Sequence, residues 1–92
     1  MNNIAAFDLI VSSCKWELTR VQKEFIKNPT ADNWQANTRA MLAYQQIIYA
    51  ALTPKVDRAA LVKAVGDAPV DQWADVICRA TTGLSCAEVL TA

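Results

Sequence analysis

NIAAFDLIVSSCKWELTRVQKEFIK, residues 3–27, followed by Asn28-Pro29-Thr30, decides the architecture of this chain. Ile4, Phe7, Val11, Cys14, Leu18, Val21 and Phe25 recur at alternating spacings of three and four, which draws one apolar stripe down a helix. Asn2 or Asn3 is the expected N-cap. Proline disfavours helical geometry at Asn28, and Thr30 is a good cap for a second helix. So tight a break between two long helical stretches folds them into an antiparallel hairpin. The stripe would also suit a coiled-coil seam, but the core face of a bundle is the favoured reading, because later helices need a surface to pack on.

The second helix is expected over residues 31–52. Trp34, Met41, Tyr44, Ile48 and Leu52 mark one face, with Leu42 and Tyr49 on another. Arg39 is the only charge between Asn33 and Pro54. A helix apolar on two sides is central in the fold or forms an oligomer seam. A third helix is read from Thr53-Pro54, with proline at its first position, to Val65; Leu61, Val62 and Val65 anchor it, and Gly66 ends it as a left-handed residue. Asp67 is expected to cap a fourth helix from about Pro69, with Trp73, Val76, Ile77 and Ala80 inward and Gly83 as its stop. Ser85 and Glu88 have capping-box spacing, and Leu84 and Val89 occupy the hydrophobic-staple positions, so a short fifth helix covers residues 86–91. The predicted fold is all-α: one domain over residues 1–92, a compact bundle of about five helices in which a long hairpin is packed by three shorter ones.

Composition agrees with that class. Ninety-two residues make one domain, and two glycines with three prolines are too few for a many-stranded β fold. Nine basic and nine acidic residues cancel, whereas a dedicated nucleic-acid binder carries a basic excess. Cys14, Cys78 and Cys86 are odd in number and form no C-x-x-C pair, which fits free thiols in a reducing cytoplasm. No apolar stretch reaches the ~20 residues of a membrane span. Val11-Ser12-Ser13-Cys14 has the look of a lipoprotein cleavage site. The stretch before it is short, lacks Lys and Arg and carries Asp8, so it is not read as a signal peptide.

Catalytic chemistry has little to work with. There is no histidine, which removes the commonest general base and the favoured zinc ligand. Cys14 falls on the core stripe, and Gly66 and Gly83 are isolated, so no phosphate-cradling loop is present. No catalytic residue, cofactor or metal site is assigned. Asp67, Asp71 and Asp75 repeat every four residues and are read as a solvated face near a helix N-terminus, with Arg79 one turn beyond Asp75. A partner-facing acidic stripe is the weaker alternative, and a metal site the weakest.

Gly83-Leu84-Ser85-x-x-Glu88-Val89 resembles the turn and early recognition helix of helix-turn-helix DNA-binding proteins. Two departures weigh against function there. Arg79 stands where that motif wants a small residue, and residues 84–92 contain no Lys, Arg, Asn or Gln to read bases.

Winding the first helix at about 100° per residue places Leu9, Trp16, Arg20, Lys23 and Lys27 on one side, opposite the core stripe. Trp and Arg are enriched at binding hot spots, and the cations favour an acidic protein face or a nucleic-acid backbone. These five residues are the candidate partner-binding surface, unless later helices cover Leu9 and Trp16. The expected function is a non-enzymatic, cytoplasmic protein-protein interaction module. The preferred kind is a phage- or mobile-element-borne inhibitor, such as an anti-CRISPR protein, that binds and blocks a larger host protein or ribonucleoprotein complex. A degenerate helix-turn-helix regulator and a structural homo-oligomer are the alternatives. No membrane partner is expected; a homodimer stays open.

Overall fold

The computed structural model describes residues 3–91, with side chains from Ala6 onward apart from position 70. Five α-helices follow in order: α1 (Asn3–Lys27), α2 (Ala31–Leu52), α3 (Arg58–Gly66), α4 (Trp73–Thr82) and α5 (Cys86–Thr91). A single 3-10 turn, Val70–Gln72, leads into α4, and there is no strand among the described residues. α1 and α2 pack along each other as the long hairpin; α3 and α4 pack onto it, and α5 packs chiefly on α4. The radius of gyration, 13.0 Å, is near the ~12 Å expected of a folded chain this long.

The hairpin break is built as its residues require. Thr30 is extended, and its Oγ1 accepts the Asn33 N–H at 3.1 Å, satisfying one of the orphan donors at the start of α2. Asn33 Nδ2 donates back to the Asn28 carbonyl at 2.8 Å, which fixes the corner. The expected cap Asn2 and the side chain of Ile4 lie outside the described residues.

Phe7, Ile10 and Cys14 of α1 meet Ala43, Ile47 and Ala50 of α2, Leu61 and Val65 of α3 and Ile77 of α4 in one core. Leu42, Cys78 and Cys86 form a smaller cluster beneath α5. The α1 stripe matches its expected register, with Val21 also buried and Leu18 and Phe25 half-buried. The α2 face does not. Trp34, Met41 and Leu52 are exposed, and the buried line is Ala43, Ile47 and Ala50. Small side chains at a helix crossing let two backbones approach closely, so the large ones are displaced to the flanks.

Two punctuation marks also differ from expectation. Pro54 does not open α3. Residues 54–56 make a turn, and Asp57 caps the helix by accepting the Ala60 N–H at 3.0 Å. Arg58 then reaches the Ala51 carbonyl at the end of α2 and lies over the Phe7 ring, 5.3 Å from its centroid. One side chain thus satisfies an orphan carbonyl and adds a cation–π contact. Gly66 is the last residue of α3 and is not left-handed; Asp67 follows as C-cap, its N–H donating to the Lys63 carbonyl at 3.0 Å. Because Asp67 closes α3, it does not cap α4, which starts at Trp73 without a side-chain cap bond. Gly83 is left-handed at φ 79° and ends α4 as its sequence position suggests.

Candidate functional site

Between α1, α2 and the start of α4 lies an open groove of about 650 Å³. Its floor is apolar and buried: Cys14 and Val21 from α1 and Ala43 from α2. Ala36 and Ala40 continue the α2 side, and Ala74 and Trp73 close it from α4. Alanines at 36, 40 and 43 fall at spacings of four and three, so they share one face of α2 and leave room where longer side chains would fill it. Trp73 is held in place by its Nε1 donating to the Ala68 carbonyl at 3.2 Å.

α1 supplies the rim. Trp16 is 68% exposed and Leu9 53% exposed, and both line the groove with Arg20. No later helix covers them. Lys23 and Lys27 are exposed further along α1 and do not line the groove. The five residues singled out from the sequence therefore divide into three at the groove and two beyond its end. Ser12, Ser13, the α2 alanines, Arg39, Asp71 and Trp73 were missed. The spacing of the alanines was the signal that could have found the α2 side.

Charge around the groove is largely paired. Arg20 Nε donates to Glu17 Oε2 at 3.0 Å, with a second bond from Nη2 to Oε1. That hydrogen bonding holds the Glu17 carboxyl below its ordinary value of 4.5 against the opposing effect of burial. Arg39 Nη2 donates to Asp75 Oδ2 at 3.2 Å, joining α2 to α4. Among the described residues, Lys23 and Lys27 form no ion pair. The same holds of Lys15, Lys55, Arg58, Lys63 and Arg79; Lys23 and Lys27 are the ones that continue the Leu9, Trp16 and Arg20 side of α1.

Cys14 lies at the groove floor, but its chemistry is quiet. Burial, helped by the nearby Glu17 charge, pushes its thiol up to about 11, so it stays protonated at neutral pH. The three aspartates do not form a face on α4. Asp67 closes α3, Asp71 sits in the 3-10 turn at the groove, and only Asp75 lies on α4, paired with Arg39 rather than with Arg79. Among the described residues, no group of three metal-ligating side chains converges.

The corner between α4 and α5 carries the anticipated capping box. Ser85 Oγ accepts the Glu88 N–H, and Glu88 Oε1 accepts the Ser85 N–H, each at 3.2 Å. Those bonds hold the Glu88 carboxyl below 4.5. Cys86 is buried, Val89 packs on the small cluster, and Glu88 is occupied by the cap. α5 thus presents no basic side chain toward a groove of DNA. No known protein family, curated protein or solved structure matches the chain. Among the described residues, no helix is long and apolar enough to cross a membrane.

Proposed function

We propose that this chain is a non-enzymatic protein-binding module whose groove takes an apolar, acid-flanked segment of a larger partner. The observation that carries it is the exposure of Trp16 and Leu9 on the rim of a groove with a buried apolar floor. Leaving an indole and a leucine in water forgoes about 1.5–3 kcal/mol each of burial, which a partner recovers. A small-molecule site would enclose most of its ligand. A rim whose Trp16 and Leu9 are themselves more than half exposed suits a polypeptide that brings its own cover. Lys23 and Lys27 continue the same helix beyond Arg20, so acidic residues at one end of the segment complement them.

Action by occupancy suits a stoichiometric inhibitor of a host protein or ribonucleoprotein complex, of the kind phages and other mobile elements carry, anti-CRISPR proteins included. An aromatic-rimmed groove open to solvent supports that kind. Three free thiols support a cytoplasmic setting. The test is capture from nuclease-treated host lysate by wild type, Trp16→Ala and the exposed control Leu90→Ala, with folding checked by circular dichroism. A protein held by wild type and Leu90→Ala but lost by Trp16→Ala supports the reading. Retention by Trp16→Ala contradicts it, and recovery that needs nucleic acid transfers the function to the backbone-binding alternative.

One observation favours a second reading. Trp34, Met41, Tyr49 and Leu52 are exposed and fall within about 80° of each other around α2, on a stripe free of charge. Such a stripe suits a self-associating seam. Light scattering at high concentration decides it, since a monomer mass removes the homo-oligomer.

A further inference from the structure

Cys78 and Cys86 lie in the cluster beneath α5, away from the groove, and nothing in the proposed binding role uses them. Cys78 is in the middle of α4 and Cys86 is the first residue of α5, on opposite sides of the Gly83 corner. Their Sγ atoms are 3.7 Å apart and in hydrogen-bond contact, with both residues essentially inaccessible to water. Leu42 completes the cluster, with Ala74 and Val89 packed against it. A structural role as small apolar side chains would need only that each thiol be buried. Here two thiols from different helices are buried against one another.

We propose that Cys78 and Cys86 are a redox pair that a peroxide converts to an intrachain disulfide clamping α5 to α4. In the reaction one thiolate attacks a peroxide oxygen, forming a sulfenic acid and releasing water (alcohol, for an organic peroxide). The second thiol then displaces the sulfenic hydroxyl, giving the S–S bond and a water. Two S–H bonds break, the two sulfurs together lose two electrons, and the peroxide O–O bond is reduced. Closing from 3.7 Å to the ~2.05 Å of a disulfide asks for side-chain rotation and a small shift of α5. α5 is six residues long and packs chiefly on α4, so that shift does not disturb the main core.

Burial sets how easily the pair reacts. It pushes the Cys78 thiol up to about 12 and raises that of Cys86, so little thiolate exists in the closed state at neutral pH. The reactive state is the one in which α5 frays from α4, which places the reaction at the low-stability end of the molecule. Once formed, the bond closes a short loop across the Gly83 corner and removes that fraying. Cys14 stands apart in the groove floor and has no thiol partner among the described residues.

The sequence supplies a clean readout. Trypsin places Cys14, Cys78 and Cys86 in three separate peptides, residues 1–15, 64–79 and 80–92. The experiment treats the whole purified protein with hydrogen peroxide, blocks remaining thiols in denaturant, digests, and identifies linked peptides by mass spectrometry. The expected result is a 64–79/80–92 linked pair, a fall from three free thiols to one, and amide exchange in α5 slowed roughly tenfold or more. Cys14→Ala should keep the linkage and Cys86→Ser should abolish it. Sulfinic acid on Cys78 or Cys86 without linkage, a bond through Cys14, or only intermolecular bonds would overturn the proposal.

Discussion

Arg39 on α2 donates to Asp75 on α4 at 3.2 Å, and the second oxygen of the same carboxylate accepts the Cys86 N–H at 3.0 Å. One aspartate therefore joins three helices: it pairs with the only charge in the body of α2 and caps the start of α5. Both side chains are about a third exposed, so the pair itself is worth little, and the cap contributes more. Asp75→Ala should cost about 1–2 kcal/mol in urea unfolding, and Arg39→Ala no more than about 1 kcal/mol. Equal costs would mean that the ion pair, not the cap, is what Asp75 supplies.

The two glycines should respond oppositely to alanine. Gly83 holds φ 79°, where a Cβ is strained, so Gly83→Ala should cost about 1–2 kcal/mol. Gly66 is helical and faces open space, so Gly66→Ala should stabilise by roughly 0.4–1 kcal/mol. Thermal melts of the two variants check both signs.

The α2 face gives a sharper contrast. Ile47 is fully buried, and Ile47→Ala should cost about 2–5 kcal/mol, a large share of the roughly 5–10 kcal/mol available to a domain this size. Leu52 is 78% exposed, and Leu52→Ala should stay within about 0.5 kcal/mol. Chemical denaturation of both variants separates the observed core face from the one that residue size suggests.

Stability should be flat through neutral pH and fall on either side. Glu17 and Glu88 have carboxyls held below 4.5 in the folded chain. The unfolded state therefore binds protons first, and their contribution, present above 4.5, is lost as pH falls through the folded values. Thiols act in the other direction. Cys14 is raised from 9.0 to about 11 and Cys78 from 9.0 to about 12, so their contribution is intact below 9 and is lost as pH climbs toward 11–12. Melting temperatures measured from pH 3 to 11 under reducing conditions should show a plateau between about 5 and 9. A steep change near pH 6.5 would contradict this, since the chain has no histidine.

Legibility in the sequence followed the strength of local signals. α1, α2 and α5 were readable to their ends because Thr30, Ser85 and Glu88 act through contacts three residues away, which spacing reveals. The start of α3 was not, because Pro54 and Asp57 both have N-terminal character and only tertiary contacts chose Asp57. Here Arg58 engages Ala51 and Phe7. Gly66 misled because a cap is decided by the residue that can close the helix, and Asp67 does so in ordinary right-handed geometry. On α2, weight given to large side chains hid the alanines: Ala43 and Ala50 in the core, and Ala36, Ala40 and Ala43 at the groove. Trp16 and Arg20 were found because an apolar stripe has an opposite side; Trp73 and Asp71 reach the same groove from distant sequence and carried no such mark.

We propose that the groove itself, and not merely the surface around it, receives the partner. Ala36 lines it and is exposed, so Ala36→Trp puts a large side chain into it while leaving Leu9, Trp16 and Arg20 in the sequence. The measurement is quantitative capture of the lysate protein that Trp16→Ala loses, by wild type and by Ala36→Trp of matched stability. Ala36→Trp should lose at least tenfold in capture, and undiminished capture by the filled groove would place the partner elsewhere on the surface.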